Sequence, residues 1–284
     1  MKNVAFLGTG LLGGAMAERM LAQGHRVTVW NRTMAKARAL EPLGARVADD
    51  PRQAIDGADR IHLALADDAA VDQVLDAIAP AVPAGAVTVD HSTTAPHRTR
   101  DRVARTARFV HAPVFMSPPM ARAGKGLMMV SGAADVYDRV KDDLAQMTGE
   151  VWYVGEDGRL AASYKLFGNS MLFVIITGLS DVLAMAKGVG MPPLDAVKLF
   201  EKFQPGVAIP MRAEKMARGD FAAMFEMTMA RKDAGLMLEA AGGVPLAVLP
   251  AVAAQMDEAI RAGHGKDDIA AVGFATRPQP EWKG

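Results

Sequence analysis

The sequence predicts an α/β protein: a doubly wound, mostly parallel sheet in its first half, joined by one long helix to an all-α second half. Three observations predict it. Short β-like runs alternate with helical stretches up to Gly158, a pattern that builds a parallel sheet with helices on both faces. From Arg159 to Lys187 there is no proline, only Gly168 and Gly178 interrupt, and apolar residues recur at helical spacing. The rest of the chain looks all-helical, with breaks at Gly190-Met191-Pro192-Pro193, Gly219-Asp220 and Gly242-Gly243-Val244-Pro245. The expected domains are 1–158 and 159–284, the second opening on the long helix.

The first strand, Val4-Ala5-Phe6-Leu7, runs into Gly8-Thr9-Gly10-Leu11-Leu12-Gly13, then a helical pattern, then the β-rich run Arg26-Val27-Thr28-Val29-Trp30. This is the G-x-G-x-x-G fingerprint in its required setting of strand, turn, helix and strand, the mark of a Rossmann dinucleotide site. Gly8 allows the tight turn, Gly10 lets backbone approach a pyrophosphate, and Gly13 lets helix and strand pack closely. The first helical turn, with Leu11 and Leu12, offers free N–H groups to phosphates.

The second strand ends at Asn31-Arg32-Thr33, where sites for NAD usually place Asp or Glu for the ribose 2′-OH. Asn31 does not repel a 2′-phosphate, Arg32 can grip one, and Lys36 adds charge one turn later. NADP(H) is expected over NAD(H); the plainer reading of Arg32 is an exposed surface cation.

A weak strand comes next at Ala45-Arg46-Val47, then a buried one at Ile61 to Ala66, with Ala66 at the carboxyl edge where such sheets bind ligands. Helical stretches at Ala69–Ala79 and Ala95–Ala107 alternate with strands at Ala86–Asp90, Phe109–Val114, Leu127–Val130 and Val151–Val154. The long helix, about 30 residues at ~1.5 Å each, spans roughly 45 Å. It is strongly apolar and hard to cover within one chain, so a homodimer packed along it is expected. The tail Arg277-Pro278-Gln279-Pro280 reads as loose.

Composition sets outer bounds. The 284 residues are half apolar, and the formal net charge is zero, which argues against nucleic acid and membrane surfaces as main partners. The longest apolar run, Met171 to Ile176, is too short to span a bilayer. Without cysteine there are no disulfides, thiolate chemistry or Cys-ligated zinc, and no His/Asp/Glu set has metal-ligand spacing. A cytoplasmic location is the default expectation. The 19 methionines read mostly as adaptable core filler.

Lys165 and Asn169 are four apart on the long helix and share one face among Ala161, Ala162, Leu166, Phe167 and Leu172. A Lys so placed snorkels, pairs or works; desolvation lowers its pKa towards the range useful for proton transfer. Asp90-His91-Ser92-Thr93-Thr94-Ala95-Pro96 lies just past a strand. Ser92 or Thr93 there either caps the next helix or holds a substrate carboxylate. Lys232-Asp233 reads from spacing as a surface pair.

These motifs fall together in the order of one family. The sequence resembles the β-hydroxyacid dehydrogenases, which include 3-hydroxyisobutyrate dehydrogenase, tartronate semialdehyde reductase and glyoxylate/succinic semialdehyde reductase. Phe6 to Gly13 looks like their cofactor signature, Asp90-His91-Ser92-Thr93 like their D-x-S-T substrate loop, and Lys165 to Asn169 like their K-x-x-x-N catalytic helix. Arg231-Lys232-Asp233 and Asp267 to Val272 look like their C-terminal segments. The resemblance implies Lys165 as general acid/base, with Asn169 orienting the substrate oxygen. It also implies Ser92 and Thr93 facing substrate and nicotinamide, and Lys232 near the cofactor or a substrate carboxylate. In fold it implies a Rossmann domain, a long helix and an all-α domain like that of 6-phosphogluconate dehydrogenase, often dimerised across that helix.

Two departures shape the expected substrate. Where the family usually has A-P-V-S-G-G, this chain has Ala112-Pro113-Val114-Phe115-Met116-Ser117-Pro118-Pro119. Phe115 and Met116 replace Ser and Gly, the prolines bring no N–H donors, and Ser117 is the first hydroxyl. The glycine-rich approach to the catalytic Lys is also replaced, by Arg159 to Tyr164. The expected function is NADP(H)-dependent interconversion of a small carbonyl, an aldehyde or keto acid, and its hydroxy form. The alternatives are an imine reductase on the same scaffold, or a catalytically idle NADP-binding protein.

Overall fold

The computed structural model of the chain describes residues 1–273. The Arg277–Pro280 tail lies outside the described residues. Two compact units divide between Asn169 and Ser170.

The first unit opens β1 (Asn3–Leu7), α1 (Leu11–Ala22), β2 (Arg26–Trp30), α2 (Met34–Arg38), β3 (Arg46–Val47) and α3 (Pro51–Ala54). It continues β4 (Arg60–Leu63), α4 (Asp68–Ile78), β5 (Val87–Asp90), α5 (Pro96–Arg105), β6 (Phe109–His111) and β7 (Val114–Phe115). Then come α6 (Pro118–Arg122), β8 (Leu127–Ser131), α7 (Ala134–Asp138), α8 (Lys141–Thr148) and β9 (Glu150–Gly155).

The sheet order is β3-β2-β1-β4-β5-β6-β8-β7, with β9 paired to β8. The order reverses direction between β1 and β4, the switch point beyond which such sheets bind ligands. All pairs are parallel except β6–β8 and β7–β8. Alternation along β1 feeds two cores. Val4 and Phe6 join Met16 and Met20 of α1 on one face. Ala5 and Leu7 join Ile61, Leu63, Val71 and Leu75 on the other.

Several expectations are corrected. The strand read over Ile61–Ala66 ends at Leu63. Beyond it Leu65 N–H donates to Ser92 Oγ at 2.9 Å, and Asp67 caps α4 by accepting from Ala70 N–H at 2.8 Å. The strand read over Phe109–Val114 is two short ones, because Pro113 cannot continue the ladder. Neither Ser92 nor Thr93 caps α5: its N-cap is Ala95, whose N–H donates to Asp68 Oδ2 at 3.0 Å.

The long helix α9 runs from Arg159 to Gly188, 30 residues. By length and composition it is the one helix among the described residues apolar enough to cross a membrane, a test that long helices of other kinds also pass. Phe173 and Ile176 on it are 65% and 63% exposed. The second unit adds α10 (Pro193–Val197), α11 (Leu199–Lys202), α12 (Ala208–Arg218), α13 (Met227–Ala240) and α14 (Leu249–Ala259). Its core joins Met227, Ala230 and Ala234 of α13 to Ala253, Met256 and Ala259 of α14. Asp181 of α9 accepts the N–H groups of Ala247, Val248 and Leu249 and so caps α14 from outside.

Candidate active site

The cradle at the end of β1 arises from its glycines. Gly8 has φ +102°, a conformation open to glycine, and a Cβ there would collide with the Ala64 carbonyl. At Gly10 the opposite holds: nothing lies within 4 Å of a hypothetical Cβ, so that side is open space. Gly10 is also the N-cap of α1 and supplies no side-chain cap. The first-turn N–H groups of α1 therefore face this space with the helix's positive end.

Asn31 ties the end of β2 to the cradle. Its Oδ1 accepts the Thr9 N–H at 3.0 Å, and its Nδ2 donates to Thr33 O at 2.9 Å. Its side chain is thus committed to shaping the loop. Arg32, Thr33 and Lys36 are exposed beside it, and neither cation makes a hydrogen bond or ion pair among the described residues.

These residues line a cavity of about 630 Å³ along the carboxyl edge of the sheet. Gly8, Gly10, Leu11, Leu12, Gly13, Asn31, Arg32, Thr33, Lys36, Ala66, Ser92 and Thr93 are all on its wall. Sequence reasoning missed one end, built by Pro51 of α3 and by Ala70, Gln73, Val74 and Ala77 of α4. Their apolar and amide side chains carry no local signal of a site. Volume, open cradle, uncapped helix and two free cations fit a dinucleotide.

Beneath the wall lies a buried histidine pair. His62 Nδ1 is 2.9 Å from His91 Nε2, and His91 Nδ1 is 2.7 Å from Ala112 O. Ala112 O only accepts, so His91 carries its proton on Nδ1 and accepts from His62 at Nε2. Burial drives both rings to the neutral form, His62 well below its usual value and His91 to about 4. Ser92 Oγ accepts Leu65 N–H at 2.9 Å, and Ser92 N–H donates to Asp90 Oδ1 at 2.9 Å. Ser92 is buried and joins two strand ends, whereas Thr93 beside it is exposed on the cavity wall.

Phe115, Met116, Ser117, Lys165 and Asn169 lie off that wall. Lys165 is half-buried; its Nζ donates to Val114 O at 2.7 Å and sits 4.1 Å from the Phe115 ring centroid. Burial lowers its pKa. Asn169, one turn on, is part-buried. Met116 packs against the first core cluster. Ser117 is the exposed N-cap of α6, and Pro118 and Pro119 open that helix, where a missing N–H costs nothing.

In the second unit Lys232 pairs with its neighbour Asp233 at 2.9 Å and is 57% exposed. Asp268 is structural. Burial pushes its carboxyl up, but N–H donors from Ala270, Met224 and Phe225 and the Arg212 guanidinium outweigh this and bring it to about 2. Among the described residues no cluster of His, Asp or Glu could hold a metal.

Residues 3–155 match the family described as the NAD binding domain of 6-phosphogluconate dehydrogenase. The chain belongs to that family. It is an oxidoreductase of this 6-phosphogluconate dehydrogenase-like, hydroxyacid dehydrogenase group, and the resemblance read from the sequence holds. An uncharacterized oxidoreductase of Shewanella frigidimarina is 31% identical over 253 residues, covering 85% of this chain and 86% of that one. The 2-(hydroxymethyl)glutarate dehydrogenase of Eubacterium barkeri is 29% identical over 283 residues, covering 95% and 93%. Among solved structures, the reductive aminase of Aspergillus terreus with NADPH and ethyl levulinate superposes with a TM-score of 0.87. It is 27% identical and covers 98% of this chain and all of that one. The family fixes an NAD(P)-binding domain and leaves the choice of coenzyme to the residues of this chain.

Proposed function

We propose that the chain is an NADP(H)-dependent reductase of small carbonyl compounds, aldehydes or keto acids, of the 3-hydroxyisobutyrate dehydrogenase type. The observation that carries this reading is Lys165: a half-buried amine with a lowered pKa and no carboxylate partner among the described residues, one turn before Asn169. Residues 1–158 form the coenzyme domain and 159–284 the helical substrate and dimerisation domain. Leu11, Leu12 and Gly13 hold the pyrophosphate with backbone N–H groups, beside Gly8 and Gly10. Arg32 and Lys36 take the 2′-phosphate, with Asn31 and Thr33 shaping their loop. Ala66 and Thr93 line the path towards the nicotinamide. The bound coenzyme supplies hydride.

Lys165 donates a proton to the carbonyl oxygen as charge develops on it, and in oxidation takes that proton back. Asn169 orients the same oxygen. Ser92 and Thr93 contribute polar contacts to the substrate, and Phe115, Met116 and Ser117 its wall. The chain works as a homodimer packed along α9, in keeping with the apolar face there. Having no cysteine, it needs no oxidising compartment, which suits the cytoplasm.

A second reading, imine reduction, is favoured by the apolar Phe115–Met116 segment and by the likeness to a reductive aminase. The test is NADPH consumption by the purified protein with aldehydes, keto acids and cyclic imines in parallel. Faster turnover of aldehydes or keto acids supports the proposal, and faster turnover of imines supports the second reading. Binding of NADPH without turnover of any would mark a catalytically idle protein.

A further inference from the structure

The contact between Lys165 and Phe115 is built from three sides. Val114 and Phe115 form β7, and the Val114 carbonyl accepts one Lys165 N–H at 2.7 Å. The face of the Phe115 ring covers the ammonium, with its centroid 4.1 Å from Nζ. Gly168, almost one turn beyond Lys165 on α9, seats the ring. A Cβ there would overlap the ring's Cζ tip and lie 2.9 Å from each Cε. The ring's tip and the missing side chain fit each other.

The physics of this contact has a sign. An aromatic face is negative and attracts a cation, and a carbonyl accepts only from a donor. Both partners favour the ammonium, a cation and the stronger donor, over the neutral amine. Burial works the other way and is the sole cause of the lowered Lys165 pKa. No charged side chain of β7 or α9 pairs with Lys165. His111, three residues before Val114, instead faces Asp90 at 3.5 Å, and Tyr164 turns to Trp152 at 4.8 Å between ring centroids. The ring is thus placed, with the Val114 carbonyl, to oppose desolvation. With one N–H on Val114 O and one side against the ring, the ammonium keeps N–H capacity for an incoming oxygen.

We propose that Phe115 is a positioning residue: its ring, seated in the notch at Gly168, holds the Lys165 ammonium protonated and aimed for proton donation. The hold on the ammonium concerns Lys165 alone; the aim for donation rests on Lys165 being the general acid.

The test separates the two. Lysine labelled with ¹³C at Cε gives a Lys165 signal identified by its loss in Lys165→Arg. Its titration is followed in the native protein, Phe115→Leu and Gly168→Ala, and NADPH binding reports that each is folded. Leu keeps the burial and removes the π face; Ala at 168 keeps the ring and pushes it out of its seat. The Lys165 pKa is expected to fall by about half to one unit in Phe115→Leu and to fall likewise in Gly168→Ala. Equal pKa values in all three folded proteins would overturn the proposal. The pH profile of reduction is recorded alongside, and its alkaline limb is expected to move to lower pH by the same amount. If the Lys165 signal moves and the limb does not, Phe115 still tunes Lys165, and it is the general-acid reading that fails.

Discussion

Asn31 reaches from the end of β2 to the backbone of Thr9, accepting its N–H at 3.0 Å while donating to Thr33 O. One side chain thereby fixes the glycine loop against the segment that carries Arg32. Asn31→Ala leaves the Thr9 N–H without this partner and loosens both segments. Leaving such a group unpaired costs about 1–3 kcal/mol. The affinities for NADPH and NADH are expected to fall together, by about tenfold, in fluorescence titrations. A loss confined to NADPH would place Asn31 at the phosphate itself.

Arg32 is the complementary case. It is exposed beside the cavity and has no partner among the described residues. A charge-assisted hydrogen bond to a phosphate is worth about 1.5–3 kcal/mol. Arg32→Asp should therefore weaken NADPH by at least about tenfold and leave NADH nearly unchanged, with the NADPH affinity sensitive to salt. An unchanged NADPH preference would put the 2′-phosphate elsewhere.

The His62–His91 pair gives a pH signature. Folded His91 titrates at about 4 against an ordinary 6.5, and His62 is also depressed. Below 6.5 the unfolded chain takes up protons that these folded rings refuse, so stability is full above 6.5 and is lost as pH falls towards 4. Between about pH 7 and pH 5 the His91 ring removes on the order of 2 kcal/mol of unfolding free energy, and His62 acts in the same direction. Urea titrations should show this loss, and His91→Gln should show a smaller one. An identical pH dependence in the variant would contradict the neutral pair.

Much of this site was legible in the chain because it is local. Gly8 to Gly13 and Asn31 to Lys36 are contiguous runs at strand ends, and every residue expected there to bind the coenzyme reaches the cavity. The far end was not legible, since Pro51 and the α4 residues contribute unremarkable apolar and amide surface that only the sheet brings into line. Pro118 and Pro119 bring no N–H donors, as read, and their place in the first turn of α6 makes that lack costless to the helix. Phe115 and Lys165 are fifty positions apart, and no local pattern announces a ring beneath an ammonium.

The apolar face of α9 predicts association. Phe173 and Ile176 are one turn apart and both mostly exposed. Light scattering should return twice the chain mass for the native protein. Phe173→Glu with Ile176→Glu, which buries charge in an apolar interface, should return a single chain. A native protein of single-chain mass would contradict packing along this helix.

The central claim is that Lys165 moves the proton. Steady-state reduction of the preferred carbonyl by Lys165→Ala, with NADPH affinity measured on the same sample, tests it most directly. NADPH is expected to bind as in the native protein, and kcat to fall by about 10²- to 10⁴-fold. A kcat within a few-fold of native, with the coenzyme still bound, would contradict the claim.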